Sequence, residues 1–260
     1  MQRVFLGEDT SGPNLSSPRT TSRGMDPQHI KAKPGDISRK VVISGDPARV
    51  AQLSTLLGHP RLVNENRGFL TYTGEYEGEE VTVACHGIGG PSIAIVLEEL
   101  IMLGAKAIVR LGSCGGLLRP MRVGDLVIAT GAGYAGGTLD SYLGRKVTPK
   151  PDSELTALLT NSAEEQKFQY YTGRVFSSDA FYAEGPDFAR RLTRKGYIAI
   201  EMECATLFGL GKLRKVRTAS MLLVSDNATE GAPIVDADTL RGYAKKAGEI
   251  VFTSLCRFRP

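Results

Sequence analysis

Blocks of apolar and polar positions alternate along this chain in a way that predicts alternating strands and helices. Residues 41–44 form a short apolar run, typical of a buried strand, and Gly45, Asp46 and Pro47 end it before a helical segment. Residues 69–75 and 80–86 alternate apolar and polar side chains around a turn, as an antiparallel pair of strands does. The first part of the chain therefore combines a strand-turn-helix unit with a hairpin.

A strongly apolar helix is predicted next, opened by Gly90 and Pro91 and closed by Gly104. Because it is apolar nearly all round, we expect other parts of the protein to cover both of its faces. Further strands are predicted over residues 107–111, 126–130, 198–201 and 218–225, and further helices over 153–165, 187–195, 202–213 and 236–256. The pattern indicates an α/β fold with a mostly parallel, mixed central β-sheet flanked by helices on both faces, where ligands bind at the carboxyl ends of the strands.

Length and composition favour one domain. The chain has 260 residues, 42% of them hydrophobic, which is enough for one sizeable core. Residues 1–24 are rich in Ser, Thr, Pro and Gly and hold few apolar positions, so they are predicted to be a flexible extension. The single domain is then expected over residues 25–260, with Met25 as an alternative start.

Charge and cysteine content exclude several classes of function. The 32 Lys and Arg are interleaved with 28 Asp and Glu, which argues against a nucleic acid partner. The four cysteines lack the spacing of a zinc site, so no metal is expected. No apolar run is long enough to span a membrane and the first residues lack the core of a signal peptide, so we expect a soluble, cytoplasmic protein.

Candidate chemistry lies where predicted strands end, in residues 45–49, 110–113, 201–203 and 225–226. Arg110 ends a buried strand, where a guanidinium needs an anionic partner or a wet cleft. Gly112 allows the backbone to approach that partner closely, and Ser113 adds a hydroxyl group. Arg49 follows a second such turn, so the two segments together suit a small oxyanion such as phosphate. The alternative is that Arg110 pairs with a structural carboxylate beside an ordinary turn.

Two acidic positions have different candidate roles. Glu201 and Glu203 point to one side of extended backbone, where a carboxylate can accept hydrogen bonds from both hydroxyl groups of a ribose, with Met202 as an apolar floor. Asp226 follows an apolar strand, and partial desolvation there would raise its pKa toward that of a general acid. The alternatives are a helix N-terminus that favours Glu203 and a turn shaped by Asp226.

Aromatic and histidine side chains add weaker signals. Phe181 and Tyr182 either stack on a planar base or pack in the core. His86 lies at a predicted strand end before Gly87 and is interpreted as structural.

Seven blocks, in order, resemble the nucleoside phosphorylase family of the hexameric purine nucleoside phosphorylase and uridine phosphorylase type. They are GDPAR from Gly45, ENRGF from Glu65, HGIGGPS from His86, RLGSCGG from Arg110, FSSDAFY from Phe176, EMECATL from Glu201 and VSDN from Val224. The resemblance implies phosphorolysis of a nucleoside to a free base and ribose 1-phosphate, as in purine salvage. It implies a homo-oligomer, a hexamer as in the enzymes it resembles. It implies neither a metal nor an organic cofactor, with inorganic phosphate as the co-substrate.

The same resemblance implies roles for single residues. Phosphate would be bound by Gly45, Arg49, Arg110 and Ser113, together with Arg67 from a neighbouring subunit. Ribose would be bound by Met202, Glu203 and a neighbouring subunit's equivalent of His29, and the base by Phe181. Asp226 would protonate the purine ring as the glycosidic bond breaks.

Two departures bear on the substrate. The purine enzymes pair their acid with an arginine, for which this chain offers only Arg241, at an uncertain alignment. The pyrimidine enzymes carry a Gln-x-Arg insertion that is missing between Tyr182 and Ile200. The absence of that insertion, together with the presence of Asp226, favours a purine nucleoside, with 5′-methylthioadenosine among the candidates. Uridine phosphorylase, a hydrolytic nucleosidase and a non-catalytic nucleoside-binding protein remain the alternatives.

Overall fold

The computed structural model describes residues 26–135, 137–184, 186–230 and 234–260. The predicted extension over residues 1–24 lies outside these ranges. The strands are β1 (Lys40–Ser44), β2 (Gly58–Asn64), β3 (Thr71–Tyr76), β4 (Glu79–Cys85), β5 (Ala107–Gly116), β6 (Leu126–Tyr134), β7 (Tyr170–Ser177), β8 (Tyr197–Glu201) and β9 (Arg217–Asn227). The α-helices are α1 (Pro47–Ser54), α2 (Gly90–Met102), α3 (Thr138–Leu143), α4 (Ser153–Glu165), α5 (Pro186–Arg194), α6 (Cys204–Arg214) and α7 (Ala237–Arg257).

The sheet is mixed and closes on itself at one end. Its strand order is β2-β3-β4-β1-β5-β8-β7-β6-β9, and β9 also pairs with β5. Strands β5, β8, β7, β6 and β9 therefore form a closed ring, from which β1, β4, β3 and β2 extend as an open sheet. The predicted mixed α/β fold is confirmed. Ring closure was not predicted, because it depends on β9 pairing with two strands distant in sequence.

Helices cover both faces of the sheet, as predicted. Alternate residues of β1 point to opposite sides, so that Val41 packs in a core with α2 and α6, whereas Val42 packs in a second core with α1, α4 and α7. No helix among the described residues is long and apolar enough to cross a membrane.

Helix α2 leaves apolar side chains uncovered within a single chain. Ile93 and Leu97 are fully buried against the sheet, but Ile95 and Met102 are each 38% exposed. They lie on the outer side of the helix, in line with exposed Pro91. The expectation that both faces of this helix are covered is therefore not met within one copy of the chain.

Strand β5 is longer than predicted and changes the interpretation of the glycine-rich segment. It runs through Gly116 instead of ending at residue 111, and it pairs with β9 along its whole length. The glycines make room for functional side chains: a methyl group on Gly112 would lie 2.5 Å from the Arg110 guanidinium, and one on Gly115 would lie 3.3 Å from Asp226 Oδ2. A turn in this segment was therefore the wrong prediction. Strands β2 and β7 and helix α3 were also not predicted.

Candidate active site

Three neighbouring parallel strands bring the predicted anion-binding residues to one edge of the sheet. Strand β1 lies between β4 and β5, and its last pairing with β5 joins Ile43 to Arg110. Strand β5 pairs with β8 only from Gly115 onward, so residues 111–114 face the gap between β1 and β8. Such a gap, where strand order changes at the carboxyl edge, is where α/β folds bind ligands.

Arg110 is buried between two carboxylates. Its Nη1 lies 3.2 Å from Glu201 Oε2, and its Nη2 contacts Glu203 Oε2, while only 4% of the residue is exposed. Burial opposes the charge, but the negative charges of Glu203 and Glu201 raise the pKa of Arg110 above its ordinary value. The two glutamates point to the same side, as predicted, and the guanidinium stays charged in a buried position.

Glu201 and Glu203 have different local roles. Glu201 Oε2 accepts hydrogen bonds from the backbone N–H groups of Glu203 (2.8 Å) and Cys204 (2.9 Å), so Glu201 caps the start of α6. Ser177 donates to its other oxygen. Glu203 Oε1 accepts from the Gly89 N–H group at 2.7 Å. Glu201 is therefore held as part of the scaffold, and Glu203 remains the carboxylate suited to a ribose.

Arg49 and His86 lie in a buried cluster with Arg110, whose positive charge lowers the pKa of both. Asp46 caps α1 by accepting from Ala48 N at 2.9 Å, and the following turn places Arg49 Nη1 3.4 Å from Ser44 Oγ. Burial lowers the pKa of Arg49, with the charges of Arg110 and Arg241 adding to the effect and Asp46 opposing it. Gly45 is needed here, because a methyl group on it would lie 2.8 Å from the Gly87 carbonyl oxygen.

The cluster holds polar atoms that lack partners. Among the described residues, five buried side-chain nitrogen and oxygen atoms have no hydrogen-bond partner. Four belong to this cluster: Nε of Arg49, Nε of Arg110 and both ring nitrogens of His86. Buried polar groups are normally paired, and guanidinium groups only donate. The arrangement therefore suits a small oxyanion that supplies acceptors, with partly buried Ser113 nearby on β5.

Asp226 lies in β9 at the same edge, without a cationic partner among its described contacts. It is 8% exposed and accepts a hydrogen bond from Ser225 Oγ at 2.7 Å. Burial raises the pKa of Asp226 above its ordinary value. The turn that follows is shaped by Asn227, whose Oδ1 accepts from Thr229 N at 3.2 Å. Among the described residues of this turn, Asp226 accepts no hydrogen bond of the kind that Asn227 does.

A second protonatable carboxyl group was missed by the sequence analysis. Burial raises the pKa of Glu184, and the negative charge of Asp226 adds to the shift. Glu184 follows the aromatic pair Phe181 and Tyr182, which was the available signal. Both aromatic side chains are exposed, by 47% and 100%, so the alternative that they pack in the core is wrong.

The remaining predicted residues lie outside the cluster. Arg241 forms an ion pair with Asp238 on its own helix, and its charge acts on Arg49; the described contacts of Asp226 do not include it. His29 Nδ1 lies 2.7 Å from Glu99 Oε1. Its carbonyl oxygen accepts from Asn66 Nδ2 at 2.9 Å, which places His29 beside the turn that carries Arg67.

Exposed Arg67 has a left-handed backbone, with φ of 56°. Within the described part of one chain, neither His29 nor Arg67 makes a hydrogen bond or ion pair with Arg110. Met202 is partly buried at the junction between β8 and α6, next to Glu203.

Comparison with known proteins identifies the family. Residues 39–255 match the sequence profile of the Phosphorylase superfamily, and the chain belongs to this family. The chain is 40% identical over 215 residues to a uridine phosphorylase of Treponema pallidum, covering 78% of this chain and 83% of that protein. It is 37% identical over 211 residues to a DeoD-type purine nucleoside phosphorylase of Hahella chejuensis, covering 78% and 87%.

A third relative and a solved structure support the same family. A guanosine phosphorylase of Halorubrum lacusprofundi is 34% identical over 203 residues, covering 78% of this chain and 84% of that protein. The crystal structure of a uridine phosphorylase from Vibrio fischeri superposes with a TM-score of 0.84 at 28% identity, covering 91% of this chain and all of that one. The predicted family and fold are confirmed. The names of the relatives support nucleoside phosphorolysis but divide between purine nucleosides and uridine.

Gly112 leaves room for the Arg110 side chain, and a substitution tests how much phosphate binding depends on that room. A methyl group there overlaps the Arg110 guanidinium, so we expect Gly112→Ala to displace it and to raise the KM for phosphate by about ten- to a hundredfold, equivalent to one charge-assisted hydrogen bond of about 1.5–3 kcal/mol. Gly242→Ala is the matched control. Among the described residues, no atom apart from its chain neighbours and its own helix's backbone lies within 4 Å of that added methyl group on α7, so we expect unchanged kinetics and a stability gain of about 0.5–1 kcal/mol. An unchanged phosphate KM for Gly112→Ala would contradict the prediction.

Proposed function

We propose that this protein is a purine nucleoside phosphorylase, which converts a purine nucleoside and inorganic phosphate to the free base and ribose 1-phosphate. The observation that carries the proposal is the contrast between two buried groups at one edge of the sheet. Glu203 is paired with Arg110, whereas Asp226 has no cationic partner among its described contacts and its pKa is raised by burial. Burial also raises the pKa of Glu203, but the positive charge of Arg110 opposes that shift, so Glu203 is the better suited of the two to stay ionised and Asp226 to carry a proton.

The chemistry requires both kinds of group. Breaking an N-glycosidic bond builds positive charge on the ribose and negative charge on the leaving base. A phosphate held by Arg49, Arg110 and Ser113 supplies an anionic nucleophile at C1′, and Glu203 accepts hydrogen bonds from the 2′ and 3′ hydroxyl groups. Asp226 then donates its proton toward N7 of the purine, while Phe181 stacks on the base.

Uridine is the second candidate substrate. It is favoured by the 40% identity to the Treponema pallidum uridine phosphorylase and by the Vibrio fischeri structure. Against it stand the buried acid Asp226 and the absence of a Gln-x-Arg segment between Tyr182 and Ile200. A hydrolytic nucleosidase has less need for the buried arginines, because water carries no charge. Product analysis with purine nucleosides and uridine, with and without phosphate, separates these activities.

We also propose that the protein assembles as a homo-oligomer, as the hexameric enzymes it resembles do. Ile95 and Met102 leave apolar surface on α2 that a second copy can cover. His29 and Arg67 lie outside the Arg110 cluster of their own chain, which suits donation to the site of a neighbouring copy.

We expect base release to require phosphate and to depend on Arg49. Arg49→Met removes one cation without separating a buried ion pair, so the phosphate KM should rise at least about tenfold while the nucleoside KM changes little. Steady-state kinetics with phosphate varied provide the measurement. Base release at an undiminished rate without phosphate would instead identify a nucleosidase.

Arg110→Ala should affect stability as well as phosphate binding. It leaves Glu201 and Glu203 buried without their cation, so we expect the free energy of unfolding to fall by about 3–5 kcal/mol. The control is Arg257→Ala, which removes an exposed ion pair with Glu165 and should change stability by no more than about 1 kcal/mol. Urea denaturation of both variants tests this. Equal urea midpoints for Arg110→Ala and Arg257→Ala would show that the buried ion pair stabilises the protein no more than the exposed one does.

Asp226→Asn tests the general acid. It keeps a similar shape but loses the transferable proton, so turnover of an ordinary purine nucleoside should fall by about 10²- to 10⁴-fold. A 7-methylated purine nucleoside needs no proton at N7, and its turnover should fall much less. Because the raised pKa keeps Asp226 protonated to higher pH, the wild-type rate should decline as pH rises through that pKa, and the variant should lack this decline. Equal losses of turnover on both substrates would show that Asp226 is not the general acid and would favour uridine as the substrate.

A further inference from the structure

The imidazole of His86 is buried among the anion-binding side chains, although its sequence position suggested only a structural role. The residue is fully buried, and neither ring nitrogen has a hydrogen-bond partner. Its backbone is fixed on both sides: His86 N donates to the Ser44 carbonyl at 2.9 Å, and its carbonyl oxygen accepts from Ser92 Oγ at 2.5 Å. The ring lies against Gly45, where an added methyl group would be 3.4 Å from Cε1. Its placement in the cluster is therefore set by β1, β4 and α2.

Among the buried, unpaired atoms of the cluster, hydrogen-bond donors outnumber acceptors. The Nε–H groups of Arg49 and Arg110 can only donate, whereas a neutral imidazole offers one donor and one acceptor. In the structure, neither Nε–H group donates to the imidazole. Three buried donors, two on the arginines and one on the imidazole, therefore lack an acceptor that a bound anion can supply.

His86 is suited to remain neutral in this position. Burial, together with the positive charge of Arg110, holds the pKa of His86 well below its ordinary value, although the carbonyl groups of Gly87 and of His86 itself oppose the shift. The charge of Arg49 acts in the same direction as that of Arg110. A third cation is thus disfavoured, and the ring keeps both its donor and its acceptor.

We propose that His86 is a further residue of the phosphate site, whose neutral imidazole donates one hydrogen bond to the bound phosphate. The inference rests on the proposed function, since it assigns a partner to the phosphate of that reaction.

Two substitutions of His86 separate this role from packing. His86→Leu removes both nitrogens at similar volume, and His86→Gln keeps one donor and one acceptor that cannot become charged. Calorimetric titration with inorganic phosphate should show at least about tenfold weaker binding for His86→Leu and recovery of most of the affinity in His86→Gln. The KM for the nucleoside should change less than about threefold in both. His59→Asn, which alters an exposed histidine on β2, should leave both constants unchanged.

Thermal stability gives an independent readout. Because the imidazole nitrogens are buried and unpaired, His86→Leu should have a Tm in phosphate-free buffer equal to or above that of the wild type. Wild-type phosphate affinity in His86→Leu, a lower Tm for that variant, or an equal loss in His86→Gln would overturn the inference. A wild-type protein that neither binds phosphate nor needs it for base release would instead overturn the proposed function.

Discussion

The buried charge of Arg110 is the constraint on which the rest of the site depends. A guanidinium inside a sheet is tolerated only with anionic partners, and Glu201 and Glu203 provide them from the start of α6. Gly112 leaves space for the Arg110 side chain, because glycine has no side-chain atoms to occupy it. Because Glu201 also caps α6, the same carboxylate links the position of this helix to the position of the charge. Scaffold and binding site are therefore one hydrogen-bonded unit.

The closed part of the sheet explains why acid and cation are close yet differ in environment. Strand β5 carries Arg110 on the stretch that pairs with β1, and its far end pairs with both β8 and β9. Arg110 thus meets Glu201 at the end of β8 and Glu203 before α6, whereas Asp226 lies on β9 beside Gly115 with only Ser225 as its described side-chain partner. Burial raises the pKa of both carboxyl groups, but the positive charge of Arg110 opposes this shift at Glu203, whereas no described cation opposes it at Asp226. A reaction that needs an anchored ribose and a protonated leaving base needs this difference.

Much of the fold and of the candidate site could be predicted from local patterns. Helix α2 was predicted from Gly90, Pro91 and Gly104, and the convergence of Arg49 and Arg110 from their positions after apolar runs. Less could be predicted where pairing is non-local. Strand β5 was ended too early because its glycines resemble a turn, whereas β9 supports them through Gly116. Strand β7 was missed because its residues are mostly half-exposed and lack a strong apolar alternation.

The sequence by itself determined the order of elements, the family and the chemical types at the strand ends, because periodicity, turn residues and motif blocks are local properties of the chain. Only the tertiary structure decided which alternatives apply. It gave Asn227 a hydrogen bond in the turn after β9, paired Arg241 with Asp238, and buried His86 where the charges of Arg110 and Arg49 act on it. The physical reason is that burial, ion pairing and hydrogen-bond satisfaction arise between residues far apart in sequence, and these set whether a polar side chain supports the fold or faces a ligand.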